Sequence, residues 1–174
     1  IYFVKILKMP KRTKILDKNQ LQQKVNRLAW QIYERNHMES EIVVVGIQKR
    51  GVELAKRISK VISSISEIKV IEATVKLDKD NPYDSDLVFN LSSTDIENKV
   101  VILVDDVLNS GKTLMYASSE FLAVPLVKLS TVVLVNRNHN RYPIKADYEG
   151  MSLSTTLQEH INVVFGKEEG VYLS

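Results

Sequence analysis

A chain of 174 residues, 44% hydrophobic and 26% charged, is long enough to bury one core, and its formal charge of +3 is mild. It has no cysteine, which excludes disulfides, thiolate catalysis and cysteine-ligated metals and fits a reducing cytoplasm. The histidines His37, His139 and His160 lack ligand spacing, the apolar runs are too short for a membrane span, and the weak positive charge permits a polyanionic ligand without announcing nucleic acid.

The first apolar stretch, Ile1-Tyr2-Phe3-Val4-Lys5-Ile6-Leu7, is broken by Lys5 and lacks a small-residue cleavage site, so it does not read as a signal peptide. Met9 offers an internal start, and residues 1–11 are expected as a disordered extension. Asp17-Lys18-Asn19-Gln20 has the form of a capping box. Behind it Leu21, Val25, Leu28, Ala29 and Ile32 recur at helical spacing, predicting an amphipathic helix over 18–36. Glu41–Ile47 is a buried strand, Gly46–Gly51 a loop, and Val52, Leu54, Ala55, Ile58 and Ile62 carry a second helix. Alternation over Ile68–Leu77 predicts another strand.

Residues 78–97 open with the turn-rich Asp78-Lys79-Asp80-Asn81-Pro82 and are expected as a mobile loop beside an active site. Val100–Val104 is a strand buried on both faces, and Leu114, Ala117, Phe121 and Leu122 mark the helix beyond it. Thr131–Val135 is a further buried strand, after which the pattern turns irregular. Strands alternating with helices imply an α/β domain over 1–174: a twisted, mostly parallel sheet flanked by helices. Residues from about 137 to 174, with the early chain, are expected to form a small hood.

The most informative run joins the central strand to its helix. Val100–Val104 ends in Asp105 and Asp106, and Asn109-Ser110-Gly111-Lys112-Thr113 leads into the helix. A strand, a tight polar loop and a helix N-terminus together make an anion site, because free amides and the helix dipole converge there. The two acids can grip a polyol or a metal beside that anion, and paired acids at a buried strand end are costly unless engaged. Gly111-Lys112-Thr113 mimics the tail of a P-loop, but the glycine a P-loop needs five residues earlier is Asp106, which repels a triphosphate.

Asp105-Asp106 followed by Ser110-Gly111-Lys112-Thr113 instead resembles the motif with which type I phosphoribosyltransferases bind 5-phosphoribosyl 1-pyrophosphate (PRPP). The resemblance implies that Asn109, Ser110, Gly111, Lys112 and Thr113 hold the 5′-phosphate. It also implies that Asp105 and Asp106 serve catalysis by binding the ribose hydroxyls, directly or through hydrated Mg²⁺, with no metal held by protein groups alone. Lys49-Arg50-Gly51, at the carboxyl end of another strand, is similar to the family's pyrophosphate loop, although a basic pair also reads as solvated surface.

The similarity continues through Ile15-Leu16-Asp17, Glu34-Arg35-Asn36, Val45-Gly46-Ile47 and Val101 to Leu108, and through Arg137, Pro143-Ile144, Ala146-Asp147-Tyr148 and Gly150. These resemble the bacterial pyrimidine-operon attenuation regulators that double as uracil phosphoribosyltransferases. The implied activity is conversion of uracil and PRPP to UMP and pyrophosphate by a cytoplasmic homo-oligomer, with Arg137 near the acceptor base or else on the surface. Asn109, where purine-using relatives carry an acid, cannot act as a general base and argues against purines. Leu77-Asp78-Lys79-Asp80 replaces the Tyr-Arg pair of the uracil-using relatives, and a lysine does not reproduce a bidentate guanidinium. That departure supports an alternative, a PRPP- or nucleotide-sensing regulator with weak or no turnover that binds pyrimidine-operon leader RNA. Arg27, Arg35 and Lys145 match its RNA-binding positions, although Arg27 and Arg35 also read as a solvated helix face.

Overall fold

Asp17 starts the first long helix as its sequence predicts: its side chain accepts from the Gln20 amide at 2.8 Å, and Gln20 Oε1 accepts the Asp17 amide at 3.0 Å. The computed structural model describes residues 12–77 and 88–174. In chain order these form β1 (Thr13–Leu16), α1 (Lys18–Asn36), β2 (Glu41–Ile47), α2 (Gln48–Ile65) and β3 (Lys69–Lys76). There follow β4 (Val88–Phe89), α3 (Ser93–Ile96), β5 (Val100–Leu108), α4 (Lys112–Phe121), β6 (Lys128–Asn136), β7 (Tyr148–Ser152), β8 (Ile161–Val164) and β9 (Gly170–Leu173).

The main sheet has the order β4-β3-β2-β5-β6-β7, parallel except where β4 pairs antiparallel with β3. Its central strands are buried on both faces, and period-2 alternation divides them between two cores. Ile42, Val44, Val100 and Ile102 pack with Leu28, Ile32 and Ile58 of α1 and α2. Val43, Val45, Val101 and Leu103 pack with Leu114 and Phe121 of α4. Among the described residues no helix is long and apolar enough to cross a membrane.

A second, antiparallel sheet has the order β1-β9-β8. Arg57 of α2 anchors its far end, donating to both Glu169 oxygens at 2.6 and 3.1 Å while its Nε reaches Glu53 at 2.9 Å. The Arg57 guanidinium holds the Glu169 carboxyl below the usual carboxylate range. A group whose folded pKa is depressed stabilises above its unfolded pKa, and that contribution is lost as pH falls through the folded value. Glu169→Gln is therefore expected to lower stability by about 1–2 kcal/mol at neutral pH, with the gap to the native chain closing as the pH falls through the acid range. Urea melts across that range check this; a gap that widens in acid contradicts it.

Four sequence expectations need correction. Gly46–Gly51 is not a loop. Strand β2 passes straight into α2, with Gln48 in a left-handed conformation (φ 49°) making the turn and its side chain donating to the Leu77 carbonyl. Strand β5 does not stop before the acids but runs to Leu108, because β6 offers pairing partners for Asp105, Val107 and Leu108. Residues 88–97 are not a continuous loop: Phe89 stacks edge-on against Phe121 at 5.2 Å, and Ile96 is the buried residue of α3. Residues 148–152, expected in the hood, run as β7 alongside β6. The expected disordered extension over 1–11 and mobile segment 78–87 lie outside the described residues.

Candidate active site

The carboxyl ends of β2 and β5 lie next to each other, because the two strands pair in parallel from Ile42↔Val100 to Gly46↔Val104. The start of α2 and the acid-bearing end of β5 are thereby brought to one edge of the sheet. Gly51 permits the close approach: a Cβ there would lie 2.6 Å from the Val104 carbonyl oxygen and 3.2 Å from Asp105 Cα. The first turn of α2 therefore rests directly on β5.

Asp105 and Asp106 are both buried, 2% and 4% exposed, although both carry polar carboxyl groups. As strand neighbours they lean to opposite sides of the sheet. Asp105 Oδ1 accepts the Asp106 amide at 3.0 Å, and Asp106 Oδ2 lies 3.3 Å from Arg50 Nε. The acid pair thus sits on a strand end shaped by backbone and met by one guanidinium.

The turn Asn109–Gly111 then reverses the chain into α4. Gly111 takes φ 83°, a left-handed conformation that favours glycine, and a Cβ there would fall 2.8 Å from Ile144 Cγ2. The N-cap residue Gly111 has no side chain to offer, so the first-turn amides of α4 beyond Lys112 face the turn with the positive end of the helix dipole. Ser110 Oγ accepts the Lys112 amide at 3.3 Å, and the Ser110 carbonyl accepts the amides of Arg141 and Tyr142 at 2.8 and 3.0 Å. These bonds fix the cradle from behind.

A cavity of about 300 Å³ joins these parts. Its wall includes Arg50, Asp105, Asp106, the run Asn109 to Thr113, and Arg137, with His160 and Ile161 on the far side. Lys49 is not part of it. It lines a neighbouring cavity with Gln48, Val52, Thr74 and Lys76, because successive residues of the α2 first turn point in different directions. Of the basic pair, only Arg50 reaches the acids.

Arg137 is a buried residue, 5% exposed, rather than a surface arginine. Its Nε donates to Thr155 Oγ1 at 2.9 Å, and its terminal nitrogen donates to the carbonyls of Thr156 and Glu159 at 3.1 and 2.6 Å. It shapes the cavity by holding the segment that leads to His160. Sequence patterning does not bring His160, Ile161 or Asn162 to the site, because Ile161 and Asn162 belong to the edge strand β8 and His160 directly precedes it, in the irregular C-terminal stretch.

Arg27 and Arg35 lie along the edge of α1 that faces β7. Arg27 donates to the carbonyls of Glu149 and Gly150, and the Arg35 guanidinium sits 4.9 Å from the Tyr148 ring centroid. Lys145 is exposed in the segment before β7. Among the described residues no group of three or more histidines or carboxylates converges as a metal site. Asp105 and Asp106 are hard oxygen donors that suit Mg²⁺ as partial ligands.

An uncapped helix start whose amides can take an anion, two acids on the preceding strand and an arginine from the adjoining strand–helix junction meet at one cavity, with the donors and acceptors that a phosphorylated sugar needs. The phosphoribosyl transferase domain family matches residues 11–169, and the chain belongs to it. Its relatives include the bifunctional protein PyrR of Haemophilus ducreyi, 35% identical over 164 residues, covering 90% of this chain and 92% of that one. The bifunctional protein PyrR of Clostridium acetobutylicum is 36% identical over 159 residues, covering 87% and 89%. Among solved structures, a hypoxanthine-guanine phosphoribosyltransferase from Bacillus anthracis superposes with a TM-score of 0.70 at 23% identity, covering 86% and 84%. The hypoxanthine phosphoribosyltransferase of Trypanosoma cruzi gives a TM-score of 0.71 at 16% identity, covering 82% of each chain. At these identities the two structures share the fold.

Proposed function

We propose that this chain is a cytoplasmic phosphoribosyltransferase that converts uracil and PRPP to UMP and pyrophosphate. The observation that carries this reading is the cavity in which Asp105, Asp106, Arg50 and the 109–113 cradle meet. In the reaction the uracil nitrogen bonds to the anomeric carbon as the bond from that carbon to the pyrophosphate oxygen breaks, and the nitrogen's proton passes to water. The residues act mainly by position and charge. The cradle holds the 5′-phosphate, the two carboxylates accept the ribose hydroxyls, and Arg50 meets the pyrophosphate. Asp105 and Asp106 are the residues that would help to hold Mg²⁺ brought in with PRPP, and the ion would supply neutralisation of the charge on the departing pyrophosphate. Asn109 offers an amide rather than a base at the acceptor side, which favours a pyrimidine.

A second reading, a regulator that binds pyrimidine-operon leader RNA, is favoured by one arrangement. Arg27 and Arg35 share the α1 edge beside β7, and the half-exposed Trp30 stacks edge-on with Tyr33 on the same helix. The decisive experiment incubates the protein with PRPP, Mg²⁺ and each common base. UMP formation with uracil is expected. Calorimetric PRPP binding without product from any base would replace turnover with sensing, and salt-sensitive binding of a leader RNA weakened by Arg27→Ala would support the second reading.

A further inference from the structure

Arg50 is held by the second sheet as well as by the acids. Its NH1 donates to Asn162 Oδ1 at 2.9 Å and to the Val163 carbonyl at 3.4 Å, both in β8, while its Nε faces Asp106 at 3.3 Å. The guanidinium therefore spans three elements: the first turn of α2, the acid-bearing end of β5, and β8. Arg50 is half-exposed, so packing alone does not choose its rotamer, and a long unrestrained side chain populates many.

Asn162 supplies the shortest of the three polar contacts that restrain Arg50. Val163 is buried in the core and fixes the backbone of β8, while β8 pairs with β9 through Asn162↔Tyr172 and Val163↔Val171. Asn162 is thus an exposed polar side chain on a strand held by pairing and by the burial of Val163, and it accepts from the cation that lines the acid cavity from α2. It does not itself line that cavity.

We propose that Asn162 is a positioning residue for PRPP: it holds the Arg50 guanidinium at the rim of the acidic pair, so that Arg50 meets the pyrophosphate group without first being ordered. The proposal rests on the reading of the site as a PRPP cavity. A preset donor avoids the ordering cost of an immobilised side chain at binding, and the gain falls on ligands that carry the group Arg50 recognises. PRPP carries a pyrophosphate at the anomeric carbon, whereas UMP carries none. Asn162 should therefore distinguish these two ligands, although it touches neither.

The test is calorimetry of PRPP with Mg²⁺, and of UMP, on native, Asn162→Ala, Arg50→Ala and doubly substituted protein. Asn162→Ala is expected to weaken PRPP about three- to tenfold while leaving the UMP affinity within about twofold. In the Arg50→Ala background the same change is expected to add nothing, because the residue acts through Arg50. Equal weakening of both ligands, no weakening of PRPP, or losses that add in the double variant would overturn the proposal. An Arg50→Ala protein that binds PRPP like the native chain would instead sink the PRPP reading of the site itself.

Discussion

Asp106→Asn is expected to lower PRPP affinity and kcat/KM by roughly 10²-fold while leaving the melting temperature within about 3 °C of the native value. The substitution keeps the shape of the side chain and removes its charge. Hydrogen bonds to a charged acceptor contribute about 1.5–3 kcal/mol each, and two ribose hydroxyl bonds weakened together reach about 3 kcal/mol. The fold loses little, since the partner of Asp106 is a half-exposed arginine and an ion pair of that kind contributes about 1 kcal/mol or less. Removing a buried charge also relieves its desolvation. Calorimetry with PRPP and a thermal melt on the same preparation check both halves. Affinity within threefold of native would remove Asp106 from the site, and a collapse in melting temperature would make it a structural residue instead.

Gly51→Ala is expected to damage stability and binding together. Two effects of opposite sign compete. Alanine is favoured over glycine inside a helix by about 1 kcal/mol, and less in a first turn whose amides have no helical partner. Against this, the new methyl would lie 2.6 Å from the Val104 carbonyl oxygen and 3.2 Å from Asp105 Cα. Both atoms belong to the backbone of a central strand, so no side-chain rotation relieves the contact and α2 must lift from β5. Overpacking of this kind costs about 1–3 kcal/mol, so the clash prevails and the net loss is about 1–2 kcal/mol. A chain of this size then melts about 2–8 °C lower. The same displacement separates Arg50 from Asp106, and PRPP affinity is expected to fall about tenfold or more. A variant that melts and binds like the native chain would show that the α2–β5 contact yields without consequence.

The boundaries of α1 and β2 could be read from the sequence because their causes are local. The Asp17–Gln20 capping box and the apolar period from Leu21 to Ile32 act within a few turns, and residues 42–47 form a run without a polar side chain. The end of β5 was not legible in the same way. Aspartate is depleted in strands, and residues 105–108 extend the sheet because β6 supplies partners as far as Leu108↔Asn136. The start of α2 carried no signal either, since no side chain caps it and Gln48 turns the chain on its own.

The chemistry of the site was legible further than its membership. The Asp105–Thr113 run is legible locally, because strand, acids, turn and helix start are consecutive, although β6 extends the strand and the amides of Arg141 and Tyr142 brace the turn. From the sequence by itself come the α/β class, the acid pair, the phosphate turn and the exclusion of a P-loop. The tertiary structure decided which member of Lys49-Arg50 faces the acids, since that depends on how the first turn of α2 is rotated against β5. It also buried Arg137, and it brought His160 to the cavity and Asn162 to Arg50 by pairing β8 with β9 and β9 with β1. These pairings join the two ends of the described chain, and no local pattern encodes a partner so far away. The pairing of β2 with β5 and the placement of the second sheet together determine which side chains share one cavity.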